Sequence, residues 1–271
     1  MAEPTIRFDD GAAYEQMMGI WSRLAGEIFL QWLAPKPKLR WIDVGCGNGA
    51  FTELLVSRGA PSEVQGIDPS EAQLAFARTR PAGRVARFSL GDAMALPFPD
   101  NRFDAAVMAL VLVFVPDPRK GVDEMVRVVG SGGMVATYMW DMLGGGFPLD
   151  PMLEELREMG IVTPRPPQME ASRMDALREL WKGAGLTDIE THEITVRRTY
   201  LHFDDLWSSN LKSPSVRPTV AAMAANDVET LKNRLRARLP ADAKGRIPCD
   251  ARAHAIKGRV VSWSNNMDQT R

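Results

Sequence analysis

RWIDVGCGNGAF, residues 40–51, places glycine at alternate positions (Gly45, Gly47, Gly49) directly after a short strand-like run, Trp41, Ile42 and Val44, that carries one acid, Asp43. Glycine is wanted where a chain must turn sharply and where a ligand lies against bare backbone, because no side chain blocks the approach. Residues 52–56 (Thr52, Glu53, Leu54, Leu55, Val56) continue with helical apolar spacing. A strand, a glycine loop and a helix start in that order form a ligand cradle whose rim is lined by the free amides of the helix.

Outward from this loop, strand and helix patterns alternate. A leading helix is expected from Tyr14 to Leu33, with a stripe of Met17, Trp21, Leu24, Ile28 and Trp32, and Pro35 and Pro37 end it. A second strand, Glu63 to Ile67, ends in Asp68-Pro69-Ser70, with Ser70 as the cap of a helix from Glu71 to Arg80. A third, Val85 to Leu90, ends in Gly91-Asp92. A fourth, Phe103 to Val113, is almost uninterrupted apolar residues, as a strand covered on both faces should be. After Pro116 and Pro118 a helix runs through Val122, Met125, Val126 and Val129, and Gly130 to Gly133 turns into a fifth strand, Met134 to Met139.

Residues 140–173, with Gly144-Gly145-Gly146 and Pro164, Pro166 and Pro167, read as an insertion, the glycines serving as a hinge. A helix from Met174 to Gly185, a sixth strand from Ile189 to Val196, a helical stretch from Leu201 to Gly245 and a last, antiparallel strand from Ala251 to Val261 complete the chain. The alternation predicts an α/β fold, a doubly wound, mostly parallel, seven-stranded Rossmann-like sheet with helical insertions forming a cap. The expected organisation is one domain over residues 1–271, with a cofactor core at 40–140, a leading helix at 14–34 and cap insertions at about 140–173 and 201–245.

Composition narrows the partners. With 45% hydrophobic and 25% charged residues and a formal net charge of -1, nothing pulls the chain toward nucleic acid or an anionic membrane. The basic run Lys232, Arg234, Arg236, Arg238 recurs at every second position and spreads around a helix, which predicts a solvated surface. Two cysteines, Cys46 and Cys249, are too few for a disulfide framework or a structural zinc site, so no metal is expected and a reducing cytoplasm is. The start, MAEPTIRFDD, lacks a signal-peptide pattern, and the longest apolar run, Ala105 to Val115, is too short to cross a bilayer.

Ligands of such sheets bind at the carboxyl ends of the strands, where the glycine loop, Asp68 and Asp92 are expected together. The loop also satisfies the dinucleotide spacing as Gly45-x-Gly47-x-x-Ala50. A nicotinamide dinucleotide would lay its pyrophosphate over the loop, however, and the Asp43 carboxylate would repel it. Three acids at one crevice favour a cationic ligand. S-adenosylmethionine, with an ammonium, a sulfonium and no phosphate, meets that demand, with Asp68 placed to accept both ribose hydroxyls and Asp92 within reach of the adenine amino group.

Four motifs then carry a resemblance: DVGCGNG at 43–49, GIDPS at 66–70, GDAMALPFPDNRFD at 91–104 and EMVRVVGSGGMV at 124–135. The chain resembles the class I S-adenosylmethionine-dependent methyltransferases, in the branch of the ubiquinone and menaquinone C-methyltransferases. The resemblance covers roughly residues 40–140. It implies that the methionine moiety lies against Asp43, Gly45, Cys46 and Gly47, the ribose on Asp68, adenine beside Pro69, Asp92 and Ala93, and the methyl donor near Ala109 and Leu110. Ser131 stands where the family often has proline. The Asn/Asp-Pro-Pro-Tyr/Phe signature of amino-methylating enzymes is absent at Ala109–Leu112.

The expected activity is methyl transfer to a small organic acceptor. A non-catalytic S-adenosylmethionine sensor or scaffold and an NAD-dependent oxidoreductase are the alternatives. In-line displacement needs chiefly positioning, so no catalytic residue is assigned. His192 and His254 fall in late strands and read as structural, whereas His202 follows the sixth strand toward the crevice. Aromatic residues in the flanking segments, with Tyr14, Met18, Trp140 and His202 as candidate acceptor contacts, predict a covered pocket. The acceptor and the oligomeric state are left open.

Overall fold

The computed structural model describes residues 11–261. Helix α1 (Gly11–Leu33) leads into β1 (Arg40–Val44), α2 (Ala50–Gly59), β2 (Glu63–Asp68), α3 (Glu71–Ala77), β3 (Ala86–Leu90), β4 (Phe103–Ala109), α4 (Pro118–Val128) and β5 (Val129–Trp140). There follow α5 (Asp150–Glu158), α6 (Met174–Gly183), β6 (Thr187–Tyr200), α7 (Phe203–Asn210), α8 (Val216–Ala221), α9 (Ala225–Arg238) and β7 (Ile247–Arg259). The strands form one open seven-stranded sheet in the order β3-β2-β1-β4-β5-β7-β6. β1 to β5 pair in parallel, and β7 is antiparallel to both β5 and β6.

Two apolar cores lie on the two faces, as the alternation of side chains along each strand requires. Trp41, Ala105 and Val107 point into the core shared with α1, α2 and α3, while Ile42, Ala106 and Met108 point into the one shared with α4 and α6. Asp43, on the same side as Trp41, is therefore carried under α2. The order reverses between β1 and β4, the switch point at which such sheets open a crevice beyond their strand ends.

β6 and β7 run longer than expected, by four residues at the end of β6 and at the start of β7, and two other departures bear on the site. β4 stops at Ala109, because Leu110 takes a left-handed φ of 64° and residues 112–114 form a single tight 3₁₀ turn. β5 begins at Val129, five residues before Met134, and a register shift against β4 absorbs the glycines that were expected to form a turn before it.

The insertions are pinned to the sheet and to each other. Gly144 N donates to Asp141 Oδ1, Gly146 N to the Asp141 carbonyl, and Arg252 N to the Gly146 carbonyl, so this glycine run is tied to β7. The basic run lies on the surface, as its spread around a helix predicts, but it is also paired. Arg234 and Arg238 both reach Glu155 at 2.5 Å, and both also pair with Glu158, while Arg238 pairs with Glu154 as well. Arg236 lies over the Phe203 ring at 4.2 Å. Helix α9 is thus clamped to α5 by charge.

Glu155 is the centre of this clamp, its side chain 5% exposed against 39% and 31% for Arg234 and Arg238. Burial pushes its carboxyl up, but hydrogen bonds from Arg238 and Arg234 override that and hold it below its ordinary value. Its stabilisation is accordingly present above the ordinary carboxylate range and lost as pH falls through it. Glu155→Gln is expected to destabilise the protein by about 1–3 kcal/mol, after allowance for the part-exposed arginines. Urea unfolding measures this, with Glu154→Gln as the exposed comparison; equal midpoints would show that the clamp contributes nothing special.

Candidate functional site

The glycine loop is held from below by β2. Gly45 N and Cys46 N both donate to the Ile67 carbonyl, at 2.7 and 3.0 Å, and Gly47 N donates to Asp68 Oδ2 at 2.9 Å. The other Asp68 oxygen accepts from Ser70 N at 2.9 Å, so a single side chain ties the loop to the start of α3. Gly45, Gly47 and Gly49 all have positive φ, which explains the alternate glycines in backbone terms. Gly45 is the most constrained: a Cβ there would meet Val111 Cγ2 at 2.7 Å and Val111 Cβ at 3.0 Å.

Asp43 lies at the floor of this loop, 0% exposed. Thr52 Oγ1 donates to its Oδ2 at 2.5 Å, and Oδ1 is buried with no partner. Burial raises the carboxyl to about 7, against the opposing Thr52 hydrogen bond, and the Asp68 charge adds to the rise. Asp68, 8% exposed, is also raised by burial, with the Ser70 and Gly47 amides opposing. A buried, half-satisfied carboxylate is unfavourable unless something cationic completes it.

Above the loop a cleft of about 710 Å³ opens, lined by Asp43, Gly45, Gly47, Asp68, Pro69 and Asp92 among others. Cys46, Ala93, Ala109 and Leu110 also line it, so every residue expected at the cofactor falls on one cleft. Asp92 is exposed at its rim, with Oδ1 accepting from Met94 N at 2.8 Å. Helix α1 supplies one wall through Glu15, Gly19 and Ser22. Arg80 fixes that wall: it donates to Asn48 O, Glu53 and Glu15, each at 2.6 Å, joining α1, the loop and α2.

A second cavity of about 210 Å³ meets the cleft at Leu110 and Phe114, which line both. Its walls include Met17, Met18, Val113, Met139 and Trp140, with Asp150 the first residue of α5. Met18 and Trp140 therefore line a chamber beside the cofactor cleft that is mostly apolar but also carries Asp150, Glu154, Arg157 and Arg165. The Tyr14 side chain lies outside the described residues. His202 is elsewhere: its Nδ1 accepts from Asp205 N at 3.2 Å, and the exposed ring lines neither cavity because it is used to cap α7. His192 stacks on Trp32, and His254 Nδ1 lies 2.9 Å from the Ser172 carbonyl. Of the other aromatics expected in the cover, Trp21 donates to the Tyr200 hydroxyl at 3.2 Å, and Phe203 stacks with Trp207, so these pack the insertions together.

Val111, Phe114 and Asp150 had no signal in the sequence. Val111 belongs to the run expected as the fourth strand, Phe114 follows directly on it, and Asp150 falls in the stretch that reads as an insertion.

Residues 42–137 match a family profile described as a methyltransferase domain. This stretch is a methyltransferase domain. The demethylmenaquinone methyltransferase of Desulfitobacterium hafniense is 40% identical over 113 residues, 40% of this chain and 45% of that protein. The 2-phytyl-1,4-naphtoquinone methyltransferase of Synechococcus elongatus is 33% identical over 145 residues, 52% of this chain and 58% of that one. The chain spans about half the length of the curated relatives it matches. In fold, the methyltransferase domain and its flanking segments superpose on Haemonchus contortus phosphoethanolamine N-methyltransferase 2, solved with S-adenosyl-L-methionine, at a TM-score of 0.57 and 19% identity, over 93% of this chain and 57% of that one. No helix among the described residues is long and apolar enough to cross a membrane.

Proposed function

We propose that this chain is a cytoplasmic enzyme that transfers a methyl group from S-adenosylmethionine to a small organic acceptor with an aromatic, quinol-like ring, its leading helix and insertions acting with the core as one unit. The observation that carries this reading is Asp43 Oδ1, a buried carboxylate oxygen without a partner under a glycine loop. It fits the ammonium of the cofactor and opposes a pyrophosphate. Gly45 and Gly47 leave the backbone bare for the methionine moiety, while Asp68 keeps lone pairs for the ribose hydroxyls after its two amide bonds. Pro69, Ala93 and Asp92 would hold adenine, and Ala109 and Leu110 would border the sulfonium.

When bound, the cofactor supplies an electron-poor methyl carbon. The chain's own part is to hold an acceptor in line with it and keep water out, which can account for much of the rate. The apolar cavity beyond Leu110 and Phe114 supports turnover over mere sensing, because it offers space for a second molecule next to the cleft. The quinone names of two relatives support the aromatic class of acceptor. Calorimetry is expected to show binding of S-adenosylhomocysteine and S-adenosylmethionine and none of NAD. The opposite preference would sink the proposal.

A further inference from the structure

One carboxylate ties the start of α1 to the glycine loop. Glu15 Oε2 accepts from Arg80 Nη2 at 2.6 Å and from Asn48 Nδ2 at 3.1 Å. The Arg80 side chain, 11% exposed, also donates to Asn48 O and to Glu53 on α2. Glu15, Asn48, Glu53 and Arg80 all line the cofactor cleft, so the bonds cross from one of its walls to another. Farther along α1 the hold is apolar, with Ala25, Phe29 and Leu33 buried in the core.

The sequence of α1 makes room for this tie. Gly19 lies inside a helix of 23 residues, where glycine costs stability that alanine would not. A Cβ added there would come within 2.9 Å of Glu15 Cδ and Oε1 and within 3.3 Å of Cγ. The Glu15 side chain therefore lies across the bare backbone of Gly19 on its way to Asn48 and Arg80. A glycine that weakens the helix has its explanation in where it lets that carboxylate go.

We propose that Glu15 and Arg80 are positioning residues that latch α1 across the cofactor cleft, and that the cofactor enters and leaves when this ion pair opens; the word cofactor rests on the methyl-transfer reading above. Both partners belong to the protein, and the latch gives neither of them to the ligand. A bond of that kind contributes equally to the empty and the filled cleft and leaves affinity as it was. What it sets is the barrier to passage, in both directions.

The test is stopped-flow mixing with S-adenosylhomocysteine, read by tryptophan fluorescence, on the wild type, Glu15→Ala, Gly19→Ala and the double variant. In Glu15→Ala, Arg80 keeps Asn48 O and Glu53 as partners. This variant is expected to raise the association and dissociation rates alike, each about tenfold, as loss of a hydrogen bond to a charged group implies. The dissociation constant should stay within about twofold of the wild type. Gly19→Ala should do the same, because its methyl displaces the carboxylate, and in the Glu15→Ala background it should add nothing. A methyl that merely obstructed the ligand would still act in that background, and that result would overturn the proposal. So would wild-type rates in Glu15→Ala, which make the pair structural only, or faster dissociation with a matching loss of affinity, which makes Glu15 a ligand contact.

Hydrogen exchange judges the latch with no ligand present. Amides of residues 19–26 should exchange about tenfold faster in both single variants. Alanine is the better helix former, so without a latch Gly19→Ala would slow them, and slower exchange would overturn the proposal. Failure of the wild type to bind S-adenosylhomocysteine would instead sink the methyl-transfer reading, while exchange still judged the hold of Glu15 on α1.

Discussion

Gly45→Ala is expected to destabilise the protein by about 2–4 kcal/mol, the sum of an overpacked contact and a left-handed residue with a side chain, and to abolish S-adenosylhomocysteine binding with it. The new methyl would sit 2.7 Å from Val111 Cγ2 and 3.0 Å from Val111 Cβ at a φ of 74°. Valine is stiff at χ1, so the clash cannot be relieved by rotating the side chain alone. Moving the Val111 backbone is no easier, because the preceding Leu110 is already held at a φ of 64° with its N–H on the Tyr138 carbonyl at 2.9 Å. Any relief therefore shifts Leu110, which lines both the cleft and the smaller cavity.

Gly47→Ala is the control. Its φ of 51° carries the same left-handed penalty, but the nearest atom to an added Cβ is Gln73 Oε1 at 3.9 Å. It should destabilise by only about 1–2 kcal/mol. Urea denaturation and calorimetry on both variants separate the two effects. If the two variants unfold at the same midpoint, the Val111 contact has no role in fixing the loop.

That contact also marks where the sequence stops being legible. The loop itself was readable because alternate glycines express a backbone demand that no other residue meets as well, and the acids at the carboxyl ends of β1, β2 and β3 were readable because strand ends in an alternating α/β chain converge. The end of the strand that begins at Phe103 was not. A continuous apolar run looks the same whether it stays in a buried strand or leaves it, and nothing about a leucine announces positive φ. Beyond Leu110, which the family resemblance put beside the methyl donor, the wall from Val111 to Phe114 was hidden for that reason. The basic run was legible as a surface spread around a helix, but its partners were not, because they are about eighty residues away on α5, beyond any local pattern. Asp150, which lines the smaller cavity, was missed because it falls in a stretch legible only as an insertion.

Asp43→Asn is expected to move stability and affinity in opposite directions. In the free protein the Asp43 carboxyl is fully buried, has one donor in Thr52 and titrates at about 7, well above its ordinary 3.8. The native state then holds more protons than the unfolded chain between those two values, so stability falls as pH rises through that window. Asparagine abolishes this loss. Its amide oxygen can still accept from Thr52, and no charge has to be desolvated, so the variant should be more stable than the wild type at pH 8 by an amount on the order of a few kcal/mol and show a flatter pH profile. Binding should do the reverse. If the buried Oδ1 is the partner of the ligand's ammonium, its loss removes a charged contact in a low-dielectric site, and S-adenosylhomocysteine affinity should fall about a hundredfold. The wild type should lose affinity by about tenfold per pH unit below about 7, because a protonated Asp43 cannot pair with the ammonium, while the variant should show no such slope. Thermal melts and calorimetry from about pH 5 to pH 8 measure both quantities on the same samples. A variant that binds as well as the wild type, or a wild-type affinity that ignores pH across that range, would mean that the ammonium is held by another group and that Asp43 serves only to anchor Thr52.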